Sequence, residues 1–223
     1  MKKHIPNLIT CLNLLVGVLG CISIVKGDLW NAIYFVLIAA LFDFFDGFAA
    51  RLLNVKSNIG KQLDSLADMI SFGLLPALYM QGTIATSDLS PLTLSYLGIL
   101  IAPFSAIRLA KFNVDTRQEN QFLGLPTPAN AIMITSLTFI PYTIPGWGLL
   151  IITLASCLLM VADIPMIALK FKNYGFKQNI FRYLILLIGV AAFLIHGISG
   201  IVIIIPAYIV LSVIGNFVYP TNV

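Results

Sequence analysis

The chain is a succession of long apolar runs separated by short breaks rich in Gly, Pro, Asn, Asp and Lys. No other feature restricts its fold so strongly. A hydrocarbon core of roughly 30 Å is crossed by about 20 apolar residues in a helix. Inside lipid each backbone amide must be satisfied within the segment itself, which leaves only helices or a closed barrel. The strict polar–apolar alternation of a membrane barrel is missing from these runs. Helical spans are therefore expected at roughly 8–26, 29–53, 60–80, 91–112, 127–145, 147–169, 181–195 and 198–218, the seventh being short. The expected fold is an all-α polytopic membrane protein, a single integral membrane domain over residues 1–223 with about eight transmembrane helices.

Charge follows the same plan. Only 10% of residues are charged, where a soluble domain carries about a quarter. The formal charge of +4 does not indicate nucleic acid, because the basic residues are sorted by side. Lys2 and Lys3 precede the first run. Arg51, Lys56 and Lys61 surround the second break. Arg108, Lys111 and Arg117 lie at the fourth, and Lys170, Lys172, Lys177 and Arg182 at the sixth. Lys26 alone falls on the other side. This bias predicts both termini in the cytoplasm, in a prokaryotic cell membrane, with a basic face toward anionic lipid. Cys11, Cys21 and Cys157, an odd number inside apolar runs, argue against a disulfide framework. Trp30, Tyr142 and Trp147 are expected as interfacial anchors on the outer side.

Acidic residues are the exception to the apolar pattern. Of nine in the chain, Asp43, Asp46, Asp64 and Asp68 lie in the facing ends of the second and third runs. A carboxylate within a span is costly unless solvated, paired or bound to a cation, so it marks function by default. Asp46 lies five residues inside the end marked by Arg51, about 7 Å, and Asp43 about 12 Å. Asp64 and Asp68 lie about 5 and 10 Å inside the end marked by Lys61. Antiparallel neighbours would thus bring Asp46 level with Asp64, and Asp43 level with Asp68. The i,i+3 and i,i+4 spacings put each pair on one helix face. Four like charges in one cavity must neutralise or bind metal, and an all-oxygen donor set suits Mg²⁺, Mn²⁺ or Ca²⁺. Two such ions form a clamp for phosphoryl-type displacement. Gly47 and Gly60 would let backbone or ligand approach closely.

Written out, the stretch is Asp43-x2-Asp46-Gly47-x2-Ala50-Arg51-x8-Gly60-x3-Asp64-x3-Asp68. It resembles the complete signature of the CDP-alcohol phosphotransferase family, with no departure at any fixed position. The resemblance implies a CDP-linked lipid held by its diphosphate, two divalent cations (Mg²⁺ or Mn²⁺) on the four aspartates, and Asp68 as general base. Gly47, Ala50, Arg51 and Gly60 would line the nucleotide pocket. Asn7 and Thr10, in the opening Pro6-Asn7-Leu8-Ile9-Thr10, would approach the diphosphate. It also implies a homodimer.

Two further segments narrow the acceptor. Leu63 to Gly73 and Arg108-Leu-Ala-Lys111-Phe112-Asn113, followed by Phe122-Leu-Gly124-Leu-Pro126-Thr127-Pro128, resemble the serine-using branch of that family. Lys111 stands where the familiar form has Arg, keeping the charge but losing the planar fork. The implied reaction moves the phosphatidyl group of CDP-diacylglycerol to the hydroxyl of L-serine. Arg108, Lys111 and Asn113 would form the acceptor rim, or else touch lipid phosphate as positive-inside charge. Asp163 either faces the same cavity, toward the serine ammonium, or pairs with a neighbouring helix. The motifs occupy residues 5–130, the expected catalytic part, and 131–223 would add transmembrane helices. Glycerol 3-phosphate and an inositol phosphate are the rival acceptors. A cation transporter is the rival from another class, but it would carry polar residues through to the outer face, and those halves are apolar.

Overall fold

The computed structural model describes residues 4–55, 57–115, 122–167 and 175–218. Lys2, Lys3, Lys56, Arg117, Lys170 and Lys172 lie outside the described residues. Helices α1 (His4–Val25) and α2 (Ala32–Leu52) form an antiparallel pair. After a short turn, α3 (Asn58–Asp68) runs into a π-helical segment (Met69–Leu74) and then α4 (Leu75–Ala85), making one rod. A 3-10 segment (Leu92–Leu100) leads into α5 (Ile101–Val114). Next come α6 (Thr127–Thr135) with a 3-10 extension to Phe139, then α7 (Gly146–Val161), α8 (Phe176–His196) and α9 (Ile201–Val218).

Five stretches among the described residues are long and apolar enough to cross a membrane: His4–Val25, Ala32–Leu52, Asn58–Ala85, Leu92–Val114 and Asn179–Asn216. The protein is a polytopic membrane protein, but the expectation of eight spans is corrected. The fifth expected span ends early because Ile140 turns extended before Pro141, leaving helix only to Phe139. The sixth ends at Val161. Beyond it, Pro165–Met166 (β2) pairs antiparallel with Phe122–Leu123 (β1), the one two-stranded ladder among the described residues. At 16 residues α7 spans about 24 Å, short of a roughly 30 Å core. The last two expected spans share one apolar stretch that folds back at Gly197–Gly200. Gly197 has φ +60°, and α8 packs on α9.

α1 organises the half that carries the motifs. It packs against α2, α3, the π segment and α4. Gly17 lies so close to Ser71 that an added Cβ would sit 2.9 Å from the Ser71 Cα and closer still to its hydroxyl. The core continues through Phe72, Leu75, Met80, Ile101, Ile134 and Met160, all fully buried. Exposed Leu, Ile and Phe along α1, α2 and α8 give those helices the apolar outer face that lipid requires.

Candidate active site

The turn between α2 and α3 is tight. Asn54 takes φ 51°, and the Ser57 hydroxyl accepts from the Gly60 backbone N–H at 2.8 Å, capping α3. The two helices thus leave one end in opposite directions with their carboxylates at that end. Oxygens of Asp43, Asp64 and Asp68 all lie within 4.8 Å of one another. Asp43 and Asp64 are within hydrogen-bonding reach. The paired-depth expectation is modified: Asp43 meets Asp64, whereas Asp46 turns toward α1, where the Thr10 hydroxyl donates to its Oδ2 at 2.7 Å. The Pro6 carbonyl, 3.0 Å away, is the alternative acceptor for that hydroxyl. Asp46 and Asp68 are buried, Asp43 and Asp64 half-buried.

Asn13 Nδ2 donates to Asp68 Oδ1 at 3.3 Å. Sequence reasoning did not select Asn13 as a site residue. The signal was present, since Asn7, Thr10 and Asn13 recur at i,i+3 on an otherwise apolar helix.

Beside the carboxylates opens a cleft of about 400 Å³, lined by Asn7, Thr10, Asp46, Gly47, Ala50, Gly60, Lys61 and Asp64 among others. Gly47 faces open space, with no atom within 4 Å of where a Cβ would be. Arg51 is exposed and is not among the lining residues. The donor set fits hard divalent cations: it is clustered carboxylate oxygen, with no His or Cys among the grouped side chains. No basic side chain among the described residues neutralises the cluster; the charges acting on Asp43 and Asp68 come from the other carboxylates.

The rim residues play different parts. Arg108 is buried, its guanidinium 5.4 Å from the centre of the Phe112 ring, and its Nε has no partner. Lys111 donates to the Val161 carbonyl at 3.0 Å, closing the C-terminal end of α7. Asn113 donates to Ser65 Oγ at 2.7 Å and accepts from Lys61 Nζ at 3.0 Å through its carbonyl, tying α5 to α3. Asp163 lies past the end of α7 and is exposed, so its expected position inside a span is corrected. Trp30, Tyr142 and Trp147 are all exposed, and Trp30 meets Phe139 edge-on.

Residues 3–204 match the family model for CDP-alcohol phosphatidyltransferase. The chain belongs to that family. The match runs well past residue 130, where the recognisable motifs end. Among relatives of the CDP-alcohol phosphatidyltransferase chain is the CDP-diacylglycerol–serine O-phosphatidyltransferase of Bacillus subtilis. It is 35% identical over 141 residues, covering 61% of this chain and 76% of the relative. An enzyme of the same name from Methanocaldococcus jannaschii is 29% identical over 209 residues, 89% of this chain and 92% of its own. The archaetidylserine synthase of Methanothermobacter thermautotrophicus is 35% identical over 138 residues, covering 59% of this chain and 56% of the relative.

Proposed function

We propose that the protein is a CDP-diacylglycerol–serine O-phosphatidyltransferase, which transfers the phosphatidyl group of CDP-diacylglycerol to L-serine and releases CMP. The observation that carries this reading is that relatives from bacteria, archaea and yeast are all named for serine as acceptor, while this chain has the complete aspartate signature, with Asp46 and Asp64 lining one cleft and Asp43 and Asp68 clustered with Asp64.

The nucleotide diphosphate lies in the cleft between α1, α2 and α3, where Gly47 and Gly60 keep side chains out of its way and Asn7 and Thr10 approach it from α1. Ala50 lines the same cleft, and Arg51, exposed beside it outside the lining, would extend the nucleotide side. Asp43, Asp46, Asp64 and Asp68 would hold two divalent cations, Mg²⁺ or Mn²⁺, which supply positive charge against the diphosphate and the leaving CMP. Asp68 takes the proton of the serine hydroxyl. The serine oxygen forms a bond to the phosphorus that carries diacylglycerol, the bond from that phosphorus to the bridging oxygen breaks, and the oxygen leaves with CMP. Arg108 supplies an unpartnered buried donor for the serine carboxylate. Lys111 and Asn113 hold the rim in place through α7 and α3.

The fuller reading places the motif end of α2 and α3 and both chain termini on the cytoplasmic side of a prokaryotic membrane. It takes residues 5–130 as the catalytic part of one membrane domain, and the working unit as a homodimer. It rests on the sorted basic residues and the family resemblance.

The test is a product assay in detergent with CDP-diacylglycerol, Mg²⁺ or Mn²⁺, and labelled serine, glycerol 3-phosphate and inositol phosphate in competition. Label should enter lipid from serine alone, with CMP release in equal amount, and EDTA should abolish both. Labelled lipid from another acceptor would overturn the choice of serine; CMP release with none of them would overturn the activity.

A further inference from the structure

Asn13 sits on α1 one turn beyond Thr10, wholly buried. Its backbone carbonyl accepts from Ser71 Oγ at 3.1 Å, and its Nδ2 donates to Asp68 Oδ1 at 3.3 Å. Its Oδ1 has no partner. A buried amide oxygen without a donor is uncommon and costly, and calls for an explanation. Here the explanation lies beside the residue that takes the acceptor's proton.

The position of this amide is tightly set. Gly17, the next turn of α1, packs against Ser71 without room for a Cβ. Ser71 lies in the π segment that begins immediately after Asp68. One contact therefore holds both Asn13 and Asp68, and π-helical insertions of this kind are frequent at functional sites. The amide's orientation matches an Asp68 ionised to act as base: Nδ2 donates to the carboxylate, and Oδ1 is left as an acceptor.

We propose that Asn13 Oδ1 receives the ammonium group of the acceptor serine and is a specificity-determining residue of the transfer. This rests on serine being the acceptor. Serine carries its ammonium on the carbon next to the one bearing its hydroxyl. A serine whose hydroxyl meets Asp68 therefore presents N–H donors close by, where Nδ2 and Oδ1 branch from one carbon. An ammonium suits an amide oxygen there, because it brings three N–H donors to an atom that can only accept. Asp163, the residue whose charge the sequence offered to the serine ammonium, is exposed beyond α7.

The experiment compares kcat/KM for L-serine and for 3-hydroxypropionate, which keeps the hydroxyl and carboxylate and lacks the ammonium. It uses the full-length protein and the variants Asn13→Ala and Asn13→Ser, with Mn²⁺ binding followed by paramagnetic resonance. The natural enzyme should prefer serine strongly. Both acceptors lose whatever Asn13 contributes through Asp68. Serine should lose about a further 10- to 100-fold in Asn13→Ala, mainly in KM, so that the preference collapses. Asn13→Ser, which keeps a small oxygen acceptor, should fall between. Mn²⁺ affinity should not change.

Equal losses for the two acceptors would overturn the proposal, and so would weakened Mn²⁺ binding, which would make Oδ1 a metal ligand. Equal use of both acceptors by the natural enzyme would overturn it without any variant, which covers the case where Asn13→Ala fails to fold. Absence of transfer to serine altogether is a separate result that removes the serine reading and this proposal with it.

Discussion

The rod Asn58–Ala85 and the hairpin Asn179–Asn216 are both apolar enough to cross a bilayer, yet they meet different surroundings. Of the best membrane-crossing window in each, 56% of residues are buried inside the molecule in the rod and 11% in the hairpin. The rod is surrounded by α1, α5 and α6, and it carries Asp64, Asp68 and the π segment. In the hairpin, α8 packs mainly on α9 and turns Leu187, Val190, Phe193 and Leu194 outward. Lipid tails are as apolar as these side chains, so there is little hydrophobic gain in burying them against protein. Close helix packing within a membrane depends on small residues and hydrogen bonds, and those are concentrated around the rod: Gly17, Ser71, Asn13, Gly73 and Ser105. The less apolar segment is therefore the better buried one, the reverse of the rule for a soluble core.

This contrast can be sharpened by substitution. The largest effect is expected at the rod's carboxylate. Asp68→Asn should lower phosphatidyl transfer by about 10²- to 10⁴-fold, while the protein still elutes as a folded species and still binds nucleotide in equilibrium dialysis. Loss of nucleotide binding together with activity would mean that the substitution damages the cleft as a whole.

Gly17→Val should come next. Its side chain must displace Ser71, and a thermal melt in detergent should fall by an amount corresponding to about 1–3 kcal/mol. An unchanged melt would show that α1 and the π segment separate easily and that the rod is not held as described.

The smallest effect is expected in the hairpin. Leu187→Ala and Leu194→Ala, both exposed to lipid, should leave kcat/KM within about twofold and the melt nearly unshifted. A large loss from either would place an interface on a face that is exposed in the structure, and cross-linking of the two positions between chains would identify it.

Much of the site was legible in the chain itself. Asp43, Asp46, Asp64 and Asp68 stand out because a carboxylate in an apolar run has few reasons to be there. Their spacing around Gly47, Ala50, Arg51 and Gly60 is regular enough to identify the family, and the cleft does gather Asn7, Thr10, Gly47, Ala50 and Gly60. What did not follow from spacing was which carboxylate faces which. Side-chain direction within a helix pair depends on the third helix packed against it, and α1 draws Asp46 to Thr10, leaving Asp43 to Asp64 and Asp68. The span count failed for a related reason. Hydropathy registers apolar residues but not where the chain leaves the helix before Pro141 and Pro165, whereas the break near Gly197–Gly200 was legible as a gap between two expected spans.

By itself, the sequence determined the solvent, the helical class and the carboxylates that would gather in one place, because burying charge or bare backbone in lipid is too costly to leave ambiguous. Only the tertiary structure decided that Asn13 reaches Asp68, that Lys111 closes α7, and that Asp163 lies outside. Each of these depends on how helices distant in the chain meet. In a bilayer those meetings are set by close packing and individual hydrogen bonds, which leave little trace in hydropathy.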